Sequence, residues 1–252
     1  MKKALRKLLA LVLALGMLGG AAAMAASEEP EAVDAPPERP FLFADVEESD
    51  WYYTAVTYLW DRELMNGITD RLFAPHEVFT RGMAATILHR LEGQPEAESS
   101  EFADVRRGAW YTAAVDWASA NGIIKGYPGE TIMFHPEDAI TRQEMAVILS
   151  RYASYKGLVK STQVDMEQYR DLALVGKWAL EDVAWAVGVG LMRGKDGSNL
   201  YPGQFTSRAE AAQMVMNFCE KLLADEAAET SAGESPATEV PAEHPEKTPS
   251  DE

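Results

Sequence analysis

Three arginines occupy matched places in the chain: Arg81, Arg142 and Arg208, each six residues after a proline (Pro75, Pro136, Pro202). The stretch "AITRQEMAVILSRY", residues 139–152, shows their setting. Thr141 reads as a helix N-cap, with apolar residues following at helical spacing. Arg142 then falls in the first turn, where a cation faces the positive end of the helix dipole at a cost of about 0.3–1 kcal/mol. Capping does not need this arginine and the dipole disfavours it, so it requires a compensating partner. One candidate is a surface salt bridge, worth roughly 0–1 kcal/mol. The other is an anion, since guanidinium binds carboxylate through two parallel hydrogen bonds. The neighbouring carboxylates have a plainer role. Thr141 with Glu144, and Ser207 with Glu210, have the spacing of capping boxes. The first copy, Thr80-Arg81-Gly82-Met83, lacks the acid and has a weaker cap.

These arginines belong to a threefold internal repeat. "FADV" occurs at 43–46 and 102–105, and a degenerate "YRDL" at 169–172. Trp51, Trp110 and Trp178 follow at similar distances, then Tyr58, Trp117 and Trp185. Glycines come next at Gly67, Gly126 and Gly194, then the proline and arginine columns. Each unit reads as an acidic turn, a first helix (Trp110 to Ala120 in the second copy, stopped by Asn121-Gly122), a Gly/Pro loop and a second helix starting at the cap. Trp117, Trp185 and Tyr58 fall on the apolar face and read as core. One such pair of helices cannot bury its apolar face alone; three packed together can. Gly67, Gly126 and Gly194 read as suppliers of unusual backbone angles.

Outside the repeats the composition changes. Residues 1–26 combine Lys2, Lys3, Arg6 and Lys7 with an apolar run and small residues, the pattern of a secretory signal peptide cleaved near Ala23-Met24-Ala25 or one residue later. Removing that segment takes away four basic residues and no acidic ones, which carries the formal charge from −17 to −21. Such a protein avoids nucleic acid and anionic membranes. Residues 27–40 form a Pro- and Glu-rich linker, and 225–252 an acidic tail expected to be disordered and solvated. Cys219 is the only cysteine, so the fold rests on its core and not on disulfides. The four histidines are scattered, and no spacing suggests a metal site.

"FADV", the Trp-x-x-x-Ala-Val type first helix, the "NGIIKGYPG…FHP" loop and the "ITRQEMAVIL" helix start resemble the S-layer homology family, over about residues 41–224 in three copies: 41–100, 101–163 with an extended linker, and 164–224. The resemblance implies a mainly α fold. Its helix-loop-helix repeats would form a pseudo-threefold spindle around a central three-helix bundle of the second helices. It also implies a non-catalytic module, exported to the bacterial cell wall or S-layer. There, grooves between repeats hold secondary cell-wall polysaccharide, often carrying a pyruvyl ketal.

Within that frame Arg81, Arg142 and Arg208 are candidate carbohydrate-binding residues, each guanidinium facing a groove and the ketal carboxylate, helped by helix-start amides. Trp51, Trp110 and Trp178 either pack sugar rings or cover the core. Asp45, Asp104 and Asp171 either accept turn hydrogen bonds or accept sugar hydroxyls. Thr141, Glu144, Ser207 and Glu210 are structural caps. Because repeat one lacks its acid, Arg81 is expected to matter less than Arg142 and Arg208. Repeat three departs too, with Leu200 where the others have phenylalanine before the proline, so one or two grooves are expected to be weak.

No segment is long enough to be an attached enzyme, which suggests a small coat component, an adaptor or a truncated product. Partners are secondary cell-wall polysaccharide or, alternatively, peptidoglycan itself. Neither nucleic acid nor, after signal cleavage, membrane is expected as a partner, and a protein partner for the tail is left open. A glycan hydrolase with paired carboxylates is the enzymatic alternative. Glu144 and Glu210 sit in corresponding places of two repeats, however, which fits caps better than an acid/base pair. No Ser/His/Asp or Cys/His set accompanies them, and no cofactor or enzymatic activity is expected. A tether to an outer membrane would need a β-barrel, and no alternating strand series is present.

Overall fold

The computed structural model describes residues 43–158 and 164–223, all within one contact unit. The leader at 1–26, the linker at 27–40 and the acidic tail at 225–252 lie outside the described residues. Three short first helices alternate with three second helices: α1 (Tyr53–Asp61), α2 (Arg81–Leu91), α3 (Thr112–Ala120), α4 (Arg142–Tyr155), α5 (Leu180–Gly188) and α6 (Arg208–Phe218). A 3-10 turn, Leu172–Leu174, precedes α5, and a π-helical turn, Cys219–Leu223, extends α6. Extended pairing among the described residues is limited to isolated bridges. The chain is mainly α.

The first helices form because apolar side chains recur on one face: Ala55, Val56 and Leu59 in α1; Ala114, Val115, Trp117 and Ala118 in α3; Val183, Trp185 and Ala186 in α5. Helix α3 starts at Thr112, later than the apolar spacing alone implies, and Trp110 stays in the preceding turn. Trp117 and Trp185 are buried, while Tyr58 is half-buried beneath Arg62, 3.6 Å from its ring centroid. The second helices start at extended N-caps. Thr141–Glu144 and Ser207–Glu210 make complete capping boxes. Thr80 accepts from the Met83 amide, but no acid reaches back, so that cap is half made.

The three repeats close on one another through the residue before each N-cap. The Phe79 amide donates to the Thr206 carbonyl (2.8 Å), the Thr206 amide to Ile140 (2.9 Å), and the Ile140 amide to Phe79 (2.9 Å). This triangle of backbone bonds satisfies three buried amides at once. It also settles the register of repeat three: Ser207 is the cap and Thr206 belongs to the triangle. Helix packing follows the same cycle, with α2 against α3, α4 against α5 and α6 against α1, while α2 also touches α4. Each second helix thus covers the first helix of the next repeat, and one hydrophobic cluster runs through all three.

The glycine column does not supply unusual backbone angles. Gly67, Gly126 and Gly194 are absent from the positive-φ residues, where Gly122 (φ 68°) and Gly190 (φ 75°) appear instead. What these three glycines provide is room. A Cβ on Gly126 would lie 2.6 Å from the Phe102 ring and from the Met133 carbonyl, and one on Gly67 would lie 2.4 Å from the Phe43 ring. The first residue of each acidic turn lays its ring where the side chain would be. The same holds more loosely for Tyr169 over Gly194, at 3.2 Å.

Candidate functional site

The partner of each arginine is the loop of the next repeat. Arg81 Nε donates to the Phe134 carbonyl, Arg142 Nε to Leu200 and Arg208 Nε to Phe73, each at 2.8 Å. The same loops are gripped from the other side by the aspartate column. Asp45 accepts from the amides of Phe73 and Ala74 (2.8 and 2.7 Å), Asp104 from Phe134 and His135 (2.8 and 2.6 Å), and Asp171 from Leu200 and Tyr201 (2.8 and 2.7 Å). One peptide unit in each repeat, 73–74, 134–135 or 200–201, therefore has its N–H on a carboxylate and its C=O on a guanidinium. Both ends of that dipole are charge-assisted, and such chains of bonds polarise one another. The clamp also holds Ala74, His135 and Tyr201 at φ 60°, 56° and 52°, a region non-glycine residues rarely adopt.

The arginines are therefore neither surface salt bridges nor free groove cations. They are 4–5% exposed and pin adjacent repeats together. Arg81 lies 4.8 Å from the Phe134 ring centroid and Arg208 4.6 Å from that of Phe73, cation–π contacts. Leu200 gives Arg142 no such face. The helix-start amides are also taken. Those of Arg81, Arg142 and Arg208 donate to Asp138, Gln204 and Glu77, and those of Gly82, Gln143 and Ala209 to Pro136, Pro202 and Pro75. No free helix terminus is left for an anion there, which corrects the expectation that these amides share a ligand.

The outer edge of each guanidinium borders a groove to which all three repeats contribute. In the first groove, about 460 Å³, Arg81 meets the 124–128 loop, Glu144 and Arg151 of repeat two, and Trp178 of repeat three. The second, about 450 Å³, joins Arg142 to the 190–195 loop, Glu210 and Asn217 of repeat three, and Trp51 of repeat one. The third, about 420 Å³, joins Arg208 to the 64–68 loop, Met83 and Arg90 of repeat one, and Trp110 of repeat two. Trp51, Trp110 and Trp178 are 61%, 58% and 58% exposed, so they wall the grooves and do not cover the core. Asp45, Asp104 and Asp171 line none of the three grooves.

The crossed arrangement moves the missing acid. Arg81 faces the complete motif of repeat two, with Glu144 Oε1 at 3.3 Å from Nη1, and Met83 faces Arg208. The groove without an acid is the one bordered by Arg208, not by Arg81. Glu144 also accepts from the Tyr127 hydroxyl. Desolvation opposes its ionisation, but the hydrogen bonds from Tyr127 and Thr141, with the charge of Arg81, hold its carboxyl below the ordinary value. In the second groove Glu210 pairs with Lys195 at 2.6 Å. Among the described residues no carboxylate lies within 4 Å of the Arg142 or Arg208 guanidinium. Burial pushes Arg142 down, and pushes Arg208 down to about 10. Both remain cations at neutral pH.

Each groove carries a net positive charge within a chain of formal charge −17. Arg81, Lys125 and Arg151 stand against Glu144; Arg142, Arg193 and Lys195 against Glu210; Arg90 and Arg208 against no carboxylate. Lys125, Arg193, Arg90 and Arg151 are groove residues the motif reading does not single out. Two of them had a signal, since Arg90 and Arg151 each stand nine residues after a motif arginine. Arg151 has no hydrogen-bond or ion-pair partner among the described residues, so its charge is available to a ligand. No group of three or more His, Cys, Asp or Glu suited to a metal occurs among them, and no described helix is long and apolar enough to cross a membrane.

Comparison with known proteins places this geometry. The model of the S-layer homology domain matches residues 42–85, 101–146 and 168–212. The chain is 32% identical over 180 residues to an exoglucanase, XynX, of Acetivibrio thermocellus, which covers 71% of this chain and 16% of that protein. It is 39% identical over 115 residues to the surface-layer 125 kDa protein of Lysinibacillus sphaericus, covering 43% and 10% respectively. To the S-layer protein sap of Bacillus anthracis it is 28% identical over 199 residues, 78% of this chain and 23% of that one. The chain thus spans a quarter or less of the length of these relatives. Three matches in tandem over the three repeats show that the chain belongs to the S-layer homology domain family.

Proposed function

We propose that the chain is a non-catalytic anchoring module of the bacterial cell surface, and that its three inter-repeat grooves bind secondary cell-wall polysaccharide bearing carboxylates such as a pyruvyl ketal. The observation that carries this reading is the charge distribution. A strongly acidic chain gathers cations into three grooves of similar volume and backs each groove with an exposed tryptophan. A sugar presents an apolar face to an indole and a carboxylate to a guanidinium, so this pairing suits an acidic saccharide. The relatives that are surface-layer proteins support a cell-surface location, and the exoglucanase relative is a much longer protein, of which this chain matches 16%.

The test is co-sedimentation of the full chain with purified cell walls, native or stripped of ketals by mild acid. The tryptophans are the residues to remove, because more than half of each is exposed and its loss leaves the core intact. Replacing Trp51, Trp110 and Trp178 together by alanine should lower wall affinity at least about tenfold, and acid-stripped walls should retain little wild-type chain. Undiminished pelleting of the triple variant would refute the groove assignment. Undiminished pelleting on stripped walls would redirect the ligand to peptidoglycan.

A further inference from the structure

We propose that Asn66 is a site of spontaneous deamidation promoted by Arg208, and that its main product, an isoaspartate, pairs with that arginine and neutralises one cation of the third groove as the protein ages. The chemistry depends on the local geometry alone, whereas its effect on wall attachment rests on the acidic-saccharide reading above.

Two Asn-Gly pairs occur in the chain, Asn66-Gly67 and Asn121-Gly122, and both asparagines are exposed. In such a pair the glycine nitrogen can attack the asparagine side chain, because no Cβ stands in the way. The structure gives the two pairs different reactivity. Asn121 Nδ2 donates to the Trp117 carbonyl at 2.8 Å, and the Gly122 amide donates to that of Ser119 at 3.0 Å. Electrophile and nucleophile are both held back along α3. Among the described residues neither the Asn66 side chain nor the Gly67 amide has a hydrogen-bond partner. The Asn66 carbonyl, by contrast, accepts from Arg208 Nη2 at 2.7 Å. That carbonyl and the Gly67 N–H belong to one peptide unit. A cation on the oxygen draws electron density from the nitrogen and makes its proton easier to lose. Gly67 cannot be exchanged for a slower neighbour, since a Cβ there would lie 2.4 Å from the Phe43 ring. The asparagine is particular to repeat one: the matched positions are Lys125 and Arg193.

Hydroxide removes the Gly67 amide proton, and the nitrogen bonds to Asn66 Cγ. The Cγ–Nδ2 bond breaks, and Nδ2 leaves with a proton as ammonia. The cyclic imide that results keeps the Asn66 main-chain carbonyl, so Arg208 still has its acceptor. Water then adds to one of the two imide carbonyls. Addition at Cγ gives aspartate. Addition at the main-chain carbon breaks its bond to the Gly67 nitrogen and gives isoaspartate, in which the chain runs through Cγ and the former main-chain carbonyl is a free carboxylate. In sum, asparagine and water give isoaspartate and ammonia. Arg208 polarises the main-chain carbonyl, which directs water there. The new carboxylate contains the oxygen that Arg208 Nη2 already binds, so it pairs at once with a guanidinium that is 4% exposed. Asn66 and Arg208 both line the third groove, which has no carboxylate of its own. Deamidation thus supplies from position 66 the acid that Met83 does not provide.

The test ages the full chain in mildly alkaline buffer and maps its peptides by mass spectrometry, with aspartate and isoaspartate told apart by electron-transfer fragmentation. Asn66 should convert at least about tenfold faster than Asn121, the factor set by the hydrogen bonds that Asn121 and Gly122 must break. Isoaspartate should make up a larger share of the product at Asn66 than at Asn121. In guanidinium chloride, where no fold remains, the two rates and the two product ratios should converge. Equal rates in the folded chain, or a difference that survives unfolding, would overturn the proposal. The consequence is read by co-sedimentation with purified walls. The aged wild type should bind at least about threefold more weakly than the fresh chain. Asn66→Gln, whose longer side chain closes an imide far more slowly, should bind alike fresh and aged. An aged, fully converted wild type that binds as the fresh chain does would overturn the loss of the groove cation. Failure of the fresh chain to pellet would instead refute the wall reading, and the peptide map would still decide the deamidation.

Discussion

Arg142→Ala should unsettle the fold as well as any binding. The substitution removes two charge-assisted hydrogen bonds, Nε to the Leu200 carbonyl at 2.8 Å and Nη2 to the Arg193 carbonyl at 2.9 Å. It leaves both carbonyls without their donor at the join of repeats two and three. Bonds of this kind contribute about 1.5–3 kcal/mol each, so the gross loss is about 3–6 kcal/mol. Against this stands the desolvation of a cation only 5% exposed, whose pKa burial has already depressed. Relief of that penalty returns part of the loss, and the net destabilisation is about 3 kcal/mol. For a domain of this size each kcal/mol moves the melting temperature by about 2–4 °C, so the midpoint should fall by about 6–12 °C. Differential scanning calorimetry reads this directly. Arg142→Lys keeps the charge but not the planar fork and should recover less than half of the loss. A midpoint for Arg142→Ala within about 2 °C of the wild type would refute the view that these arginines pin repeats together. It would return the guanidinium to a purely ligand-binding role.

Three further outcomes follow from the packing and the clamps. Gly126→Ala forces a Cβ to within 2.6 Å of the Phe102 ring and the Met133 carbonyl and should destabilise by about 3 kcal/mol in urea titration. Gly122→Ala, at φ 68° with nothing within 4 Å, should cost only about 1 kcal/mol of backbone strain, and equal losses would discredit the distinction between room and angle. Thr206→Val removes a buried hydroxyl that has no hydrogen-bond partner and should stabilise by about 1 kcal/mol, seen as a higher urea midpoint at unchanged slope. The Asp104 carboxyl is held below its ordinary 3.8, because the amides of Phe134 and His135 outweigh a desolvation that acts the other way. Its contribution is fully present above about pH 4 and disappears as pH falls through the depressed value. Asp104→Asn should therefore flatten the acid limb of a stability–pH curve below about pH 4 while lowering the plateau; an unchanged limb would show that the clamp is not ionic.

The repeat itself was legible because five of six tryptophans, the acidic turns, the prolines and the cap motifs are all local patterns with a fixed order. The caps at Thr141 and Ser207 could be read for the same reason: a capping box is closed within four residues. What could not be read was every relation between repeats. Arg81 has Gly82 and Met83 as chain neighbours, yet its functional neighbour is Glu144, because each second helix docks on the loop of the following repeat. No periodicity within one copy encodes that offset. The sequence leaves the aspartates open between turn acceptors and acceptors from sugar hydroxyls, because their partners, amides about 28 to 31 residues away, carry no side-chain signature. A glycine column points first to unusual angles because φ > 0 is the commoner reason for the residue, whereas an aromatic ring laid over a glycine depends on a contact from the start of the repeat.

The functional unit is consequently the join and not the repeat. Each groove takes its arginine from one copy, its loop and helix from a second and its tryptophan from the third, so a departure in one copy is felt at three different walls. This gives the acidity of the chain a physical sense. At physiological salt the Debye length is about 8 Å, so an acidic exterior and a cationic groove can coexist with little mutual cancellation. If the grooves take acidic wall polymers as proposed, the exterior repels polymers that merely pass by, and the grooves attract the segment that can enter far enough to meet a guanidinium and lie on an indole. Attraction confined to three pockets on a repulsive surface yields selectivity by penalising the wrong contact as well as favouring the right one. A broad basic patch, holding any anion in proportion to its charge, would not.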